Sequence, residues 1–563
     1  MKNRIKTLLL ALLIISCSKP GKLETQHVLG TIGERAMVVS AHPLASKVGS
    51  EILKKGGNAV DAAVAVQFAL AVVYPNAGNI GGGGFLVYRS KDGAVDALDF
   101  REMAPQLANR DMYLDSAGNV INNLSLRGHL ASGVPGSVDG MVEAHKKYGT
   151  LPWSELIQPA INLAEKGHII TEMEAKGLNN VQKSLLENCT VPPTNFSKEW
   201  VKGDTIYHKD LAKTLERIRD NERAGFYEGE TAELIIEEMK RGNGIITQED
   251  LNKYHSVWRT PISGMYRGYK LITMPPPSSG GVALIQLLES VEPFDLSSMS
   301  HNKATYVHLL TEAERRVYAD RAEYLGDPDY YNVPVKGLLN PEYNRERMES
   351  FNPEKATPSD SIGHGQPMLE HNETTHFSIV DEQGNAVSLT TTLNGSYGCR
   401  VIVGHAGFLL NNEMDDFSVK PGVPNMFGLV GGKANEIAPG KRMLSSMTPT
   451  IVEKDGQLKL VVGTPGGSTI ITSVFQTVLN VIDFDMTMQE AVDAKRVHSQ
   501  WLPDVIMYEK DALTEETSKK LEEMGHKLLD KGNIGRVDAV KVLENKKLEG
   551  GADPRGDDFA SGY

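Results

Sequence analysis

The chain of 563 residues is 40% hydrophobic and 23% charged, the balance of a folded protein long enough for a large core. Its formal net charge is -13, and no Lys/Arg-rich block follows the extreme N-terminus. This argues against nucleic acid as a partner, because counterion release has no source.

The N-terminus reads MKNRIKTLLLALLIISCSKP. Lys2, Arg4 and Lys6 precede an apolar run over residues 7–15 that is too short to span a bilayer, the pattern of a secretory signal. Ile14-Ile15-Ser16-Cys17 resembles a bacterial lipobox. Residues 1–16 are therefore expected to be removed as a lipoprotein signal peptide. Cys17 would then be lipidated, holding an exported domain on a membrane of the bacterial cell envelope or periplasm. The plainer alternative is that Cys17 only ends a cleaved signal or a short anchor.

Further on, ERAMVVSAHPLASKVGSEILKKGGNAVDAAVAVQFALAVVYP predicts a strand, a helix closed by Gly56-Gly57, and a second helix so rich in Ala and Val that it has no polar face and must be buried. NIGGGGFLVYRS runs into a strand, and ALDFREMAP is another with a charged end. Helical periodicity recurs in WSELIQPAINLAEKG, TAELIIEEMKRG, GGVALIQLLESV and ATYVHLLTEAERRVYADRAEYL. It fades over residues 328–372, a polar Pro/Gly/Ser-rich stretch expected to be an exposed connection. From Thr374 the texture is β: HFSIV, the turn DEQGN and AVSLTTTLN form a hairpin signal. RVIVG, GFLLN, TPTIVEKD and QLKLVVG read as further strands before the helix STIITSVFQTVLNVID.

The scattered histidines include no H-E-x-x-H, and His301 and His308 read as ordinary helix residues; no metal and no other cofactor is expected. Cys189 and Cys399 remain after Cys17, and the sequence leaves their pairing open. IGGGGFLVYRS has no lysine and enters a strand, so it is no phosphate loop. GTPGGSTIITSVFQ and PPPSSGGVALIQLLE each precede a helix, where backbone N–H groups can hold an anion or oxyanion, or simply make a tight turn. No G-x-S-x-G elbow is present. What remains is a hydroxyl nucleophile freed as a new N-terminus, which needs a Ser or Thr at the start of a strand after a flexible connection. Residues 350–374 supply both.

NETTHFSIVDEQGNAVSLTTTLN, GFLLNNEMDDFSVKPGVPN, KRMLSSMTPTIV and GTPGGS closely resemble the γ-glutamyltransferase family of N-terminal-nucleophile hydrolases. GGNAVDAAVA, ALDFREMAP, GVPGSVDG, MPPPSSGG, HSQWLPD and ADPRGDDFASGY extend the resemblance over nearly the whole mature chain. The resemblance implies autocatalytic cleavage between Glu373 and Thr374. Thr374 then serves as nucleophile, with its α-amine as base. Thr392 matches the second threonine, and the N–H groups of Gly466 and Gly467 match the oxyanion hole. Arg101, Ser445 and Ser446 match the side that binds the α-carboxylate; Asn394, Glu413 and Asp416 match the side that binds the α-ammonium. Phe427 stands in a lid loop where a tyrosine is usual, and a phenyl ring cannot donate a hydrogen bond to Asn394.

The implied fold is a four-layered αββα sandwich of the α+β class, formed jointly by two autoproteolytic subunits. Residues 17–373 and 374–563 would make about 39 and 21 kDa by share of chain length, associated as a heterodimer. The implied partners are glutathione and other γ-glutamyl donors, with water, amino acids or dipeptides as acceptors. Two alternatives stand beside this: a glutaryl or cephalosporin acylase of the same fold, and an uncleaved lipoprotein that only binds peptides.

Overall fold

The Ala/Val helix spans Ala59–Val73 in the computed structural model, which describes residues 27–366 and 376–563 apart from residues 194, 196 and 197. Cys17, Glu373 and Thr374 lie outside the described residues. Every residue of this helix is buried, as the lack of a polar face requires. Its polar members are used inward. Asp61 closes a capping box on the Asn58 N–H at 2.9 Å, and Gln67 Nε2 donates to the Asn79 carbonyl at 2.8 Å and to Thr391 Oγ1 at 3.1 Å.

Gln67 thereby ties the helix to the hairpin Phe377–Val380 and Ala386–Thr392. Its turn closes because Asp381 Oδ1 accepts the N–H groups of Gln383 and Asn385, each at 2.9 Å. The hairpin forms the middle of a seven-stranded antiparallel sheet. Its spatial order is Phe559–Gly562, Met37–Ser40, Phe377–Val380, Ala386–Thr392, Gly83–Arg89, Val95–Asp99 and Val257–Arg259. A second antiparallel sheet runs Thr31–Gly33, Leu548–Gly551, Asp538–Val542, Gln457–Gly463, Thr450–Lys454, Tyr269–Thr273 and Ile262–Tyr266.

The two sheets stack through Met37, Val39, Phe85, Val87, Ile451 and Val461, the interdigitated inner faces of a sandwich. Helices Pro43–Lys54, Ala59–Val73 and Ser137–Tyr148 cover one outer face. Ser279–Val291, Ile470–Ile482 and Met488–Asp493 cover the other. The architecture is therefore αββα, as expected. Each sheet takes strands from both sides of residue 374, so neither part of the chain completes a sheet alone.

Two sequence expectations change, and the cysteine pairing that the sequence leaves open is decided. RVIVG and GFLLN are not paired strands: only Ile402 and Leu409 bridge, because positive φ at Arg400, His405 and Gly407 curls the chain into turns. Residues 328–366 are not an open connection. They hold the helices Val335–Leu338 and Pro341–Met348, and the Thr357 N–H donates to Glu312 at 3.0 Å while Trp501 Nε1 donates to the Ser359 carbonyl at 2.8 Å. Cys189 and Cys399 are free thiols.

Candidate active site

Pleating decides which of the three strand threonines faces the site. Residues i and i+2 share a face. Thr391 points to the helix layer, where Gln67 and Asn79 donate to its hydroxyl at 3.1 and 3.0 Å. Thr392 therefore faces the other way. Its Oγ1 accepts the Asn394 N–H at 2.7 Å, which fixes Asn394 at a φ of +67°. Asn394 Nδ2 donates in turn to the Asn412 carbonyl at 3.0 Å.

The turn Glu413–Asp416 follows. Asn411 pins its start by accepting the Glu413 N–H at 3.1 Å and donating to the carbonyls of Gly81 and Gly133, both at 2.9 Å. Against this turn lies Arg101, just past the strand Val95–Asp99 and wholly buried. Its guanidinium is 2.7 Å from Asp416 Oδ2, 2.9 Å from Glu413 Oε2 and 3.7 Å from Glu102 Oε2. The cation and the acids that the resemblance puts on opposite sides are thus in direct contact here.

One guanidinium does not neutralise three acids. Burial pushes Glu102 up to about 8 against the pull of Arg101. Burial likewise holds Glu413 well above the carboxylate range, with Arg101 opposing and Glu102 and Asp416 reinforcing the rise. Arg101 thus pairs with Asp416 inside a cluster whose other two acids are driven toward their neutral forms.

Gly466 and Gly467 turn the chain from the strand Gln457–Gly463 into the helix Ile470–Ile482, with φ of +143° and +58°. Only glycine fits: a Cβ on Gly466 would stand 2.5 Å from Thr469 Oγ1, and one on Gly467 would run into the Phe427 ring. Among the described residues neither N–H finds an acceptor. Of the two serines, Ser446 Oγ lies 3.5 Å from Arg321, and Ser445 accepts from Ser279 through its carbonyl at 2.8 Å.

Seven of the expected residues line one cavity of about 380 Å³: Thr392, Asn394, Asp416, Phe427, Ser446, Gly466 and Gly467. Arg101, Glu413 and Ser445 do not line it and are fully buried. The sequence reading missed Glu102, although it adjoins Arg101 in DFREMAP. It also missed Tyr74, Asn76 and Arg536 in the cavity wall, for which no local pattern gave a signal. The nearest approach to a metal cluster among the described residues is His308, Glu312 and His526. There the two rings are hydrogen-bonded at 2.7 Å, and Glu312 is taken up by Arg315, Arg316 and Thr357.

Two stacked antiparallel sheets between helical layers, with the Gly466-Gly467 turn and Thr392 at the end of a central strand on one cavity, match the αββα architecture that the resemblance implies for the N-terminal-nucleophile hydrolase class. The family profile described as Gamma-glutamyltranspeptidase matches residues 45–563. A relative named glutathione hydrolase proenzyme, from Escherichia coli (strain K12), is 49% identical over 535 residues, covering 94% of this chain and 92% of its own. The crystal structure of a cephalosporin acylase from Bacillus halodurans aligns with a TM-score of 0.85 at 27% identity, covering 98% of this chain and 99% of the other. That of Helicobacter pylori gamma-glutamyltranspeptidase aligns with a TM-score of 0.57 at 47% identity, covering 61% of this chain and 96% of the other. The chain belongs to the gamma-glutamyltranspeptidase family.

Proposed function

We propose that the protein cleaves the γ-glutamyl amide of glutathione and related donors through a threonyl acyl-enzyme, and passes the glutamyl group to water, amino acids or dipeptides. The observation that carries this reading is the meeting of Thr392, Asp416 and the Gly466-Gly467 turn on one cavity, with Arg101 buried against Asp416.

In the precursor, Thr374 Oγ attacks the Glu373 carbonyl and the peptide C–N bond breaks. Water then hydrolyses the resulting ester, freeing the Glu373 carboxylate and the Thr374 amine. In turnover that amine, with an ordinary pKa of about 7.7 to 8.0, takes the hydroxyl proton as Oγ attacks the γ-carbonyl. The oxyanion forms against the N–H groups of Gly466 and Gly467. As the C–N bond breaks, the leaving amine takes the proton, and an ester on Thr374 remains for water or an acceptor amine to open. Arg101 and Ser446 serve the α-carboxylate, supported by Ser445. Asp416, Asn394 and Glu413 serve the α-ammonium, and Phe427 covers the cavity.

Cleavage yields a large subunit of residues 17–373 and a small one of residues 374–563, which stay together. The signal over residues 1–16 supports export, with lipid on Cys17 holding the enzyme at a membrane of the bacterial envelope. Electrophoresis of the purified protein should show two bands near 39 and 21 kDa by share of chain length, and Thr374→Ala a single inactive chain. An uncleaved but active Thr374→Ala protein would sink the mechanism. Cys17→Ala should move the enzyme from the membrane fraction to the soluble one.

A further inference from the structure

Beside the catalytic cavity lies a second one of about 160 Å³, and Tyr74, Asn76 and Arg536 line both. None of the three belongs to the set assigned to the glutamyl group. Arg536 joins distant segments at this seam: its guanidinium donates to the Tyr74 hydroxyl at 2.6 Å and to the Ala41 carbonyl at 2.8 Å, and pairs with Asp558. A guanidinium has donors beyond these three.

Past the seam the annex is acidic. Glu174 and Asp557 line it. Burial raises the Glu174 pKa, but the rings of His168 and His42, at 3.4 and 3.5 Å, and the Thr171 N–H, at 2.6 Å, outweigh it and keep the carboxyl well below its usual range. Among the described residues, two ring nitrogens on this cavity have no hydrogen-bond partner, His168 Nδ1 and His208 Nε2, on residues only 5% and 9% exposed. Buried polar atoms are normally satisfied, so these two mark polar points on the cavity wall that a bound group or a water can meet.

The tautomer of His208 follows from its neighbours. Burial lowers His208 to about 3, so its ring is neutral. Asn195 Nδ2 faces its Nδ1 at 3.4 Å, which leaves the proton on Nε2. His168 Nε2 faces Glu174 Oε1 at 3.4 Å. The annex thus offers the carboxylates of Glu174 and Asp557, with Tyr397 as an aromatic wall.

We propose that the annex receives the side chain of the acceptor amino acid and selects a cationic one, with Arg536 at the seam taking the acceptor's carboxylate. The proposal rests on the transferase reading above. In the transfer step the acceptor's α-amine attacks the ester carbonyl on Thr374. The C–N bond forms, the C–Oγ bond breaks, and the amine's proton returns to Oγ by way of the Thr374 α-amine.

Arginine and citrulline have nearly the same shape and differ in charge, so they isolate the claim. With a γ-glutamyl p-nitroanilide donor, kcat/KM for L-arginine should exceed that for L-citrulline by about tenfold or more, the size of one charge-assisted hydrogen bond. Glu174→Gln and Asp557→Asn should each bring that ratio toward one. Likewise, the preference for arginine over argininamide should shrink in Arg536→Gln. Every comparison is a ratio within one preparation, so a partly folded variant counts equally in both arms. Equal use of arginine and citrulline by the parent enzyme, or a ratio unchanged in both acid variants, would overturn the proposal while donor hydrolysis by water continued. Loss of that hydrolysis in the parent enzyme would instead overturn the transferase reading itself.

Discussion

Alanine at position 467 tests whether the glycine turn aims an N–H at the reacting carbonyl. The added Cβ would stand 2.5 Å from Cε1 and 2.8 Å from Cγ of Phe427. The main chain carrying the ring does not retreat freely, because the Phe427 N–H donates to Asn425 Oδ1 at 3.0 Å and its carbonyl accepts from Gln500 Nε2 at 3.1 Å. Alanine at a φ of +58° adds about 1 kcal/mol of strain. If the turn rotates to relieve the clash, an oxyanion donor is lost, worth about 3 to 4 kcal/mol of barrier. Hydrolysis of γ-glutamyl p-nitroanilide by fully processed Gly467→Ala should therefore show kcat about 100- to 1000-fold lower. The donor KM should change little, since the N–H meets charge that develops only in the transition state. Adding Phe427→Ala removes the clash and leaves the strain, so the double variant should recover to within about tenfold of Phe427→Ala alone. A Gly467→Ala enzyme with parental kcat, or a loss confined to KM, would refute the oxyanion role.

The remaining predictions concern the charge cluster and the strand. Glu102 has a folded pKa raised from 4.5 to about 8, so the folded state holds a proton that the unfolded chain releases. Stability should fall as pH rises through that window, and Glu102→Gln should flatten the fall in urea midpoints. Arg101→Gln removes the guanidinium from beside Asp416 and Glu413 and should cost about 3 to 5 kcal/mol in urea denaturation. Thr392→Val removes the acceptor of the Asn394 N–H and should cost about 1 kcal/mol in stability. It should also slow donor hydrolysis by about tenfold; unchanged turnover would show that Thr392 is only a strand residue.

Local signals were legible where one short-range rule decides. The hairpin followed from period-two alternation about an Asp-Glu-Gln-Gly-Asn turn, and the Ala/Val helix from its lack of a polar face. RVIVG failed because its β-branched residues sit between left-handed positions at Arg400 and His405, which composition does not reveal. The order of strands was not legible, since pairing joins residues as distant as Met37 and Gly562. The site divides the same way. Residues inside recognisable motifs were found. Arg536 and Tyr74 meet across 462 residues of sequence, and neither carries a local mark. Glu102 was passed over because a charge beside Arg101 looks like a solvated strand end until the packing buries it.

The charge cluster also leads to the expectation that a glutamyl donor suits this site better than a glutaryl one, although the fold is shared with a cephalosporin acylase and fold does not fix chemistry. Before substrate arrives, Arg101 and Asp416 neutralise each other at 2.7 Å. On the proposed reading, a glutamyl zwitterion would exchange partners with that pair, its carboxylate taking Arg101 and its ammonium taking Asp416. No charge would then be left uncompensated in the buried cluster. A glutaryl group brings no ammonium, so engaging Arg101 would strand Asp416, a penalty of about 3 to 5 kcal/mol for a broken buried pair. That corresponds to about 100-fold or more in kcat/KM between γ-glutamyl and glutaryl p-nitroanilide. Asp416→Asn should erode the preference by slowing the glutamyl donor far more than the glutaryl one. If the parent enzyme used both donors equally, the ion-pair exchange would be wrong and the acylase reading would take its place.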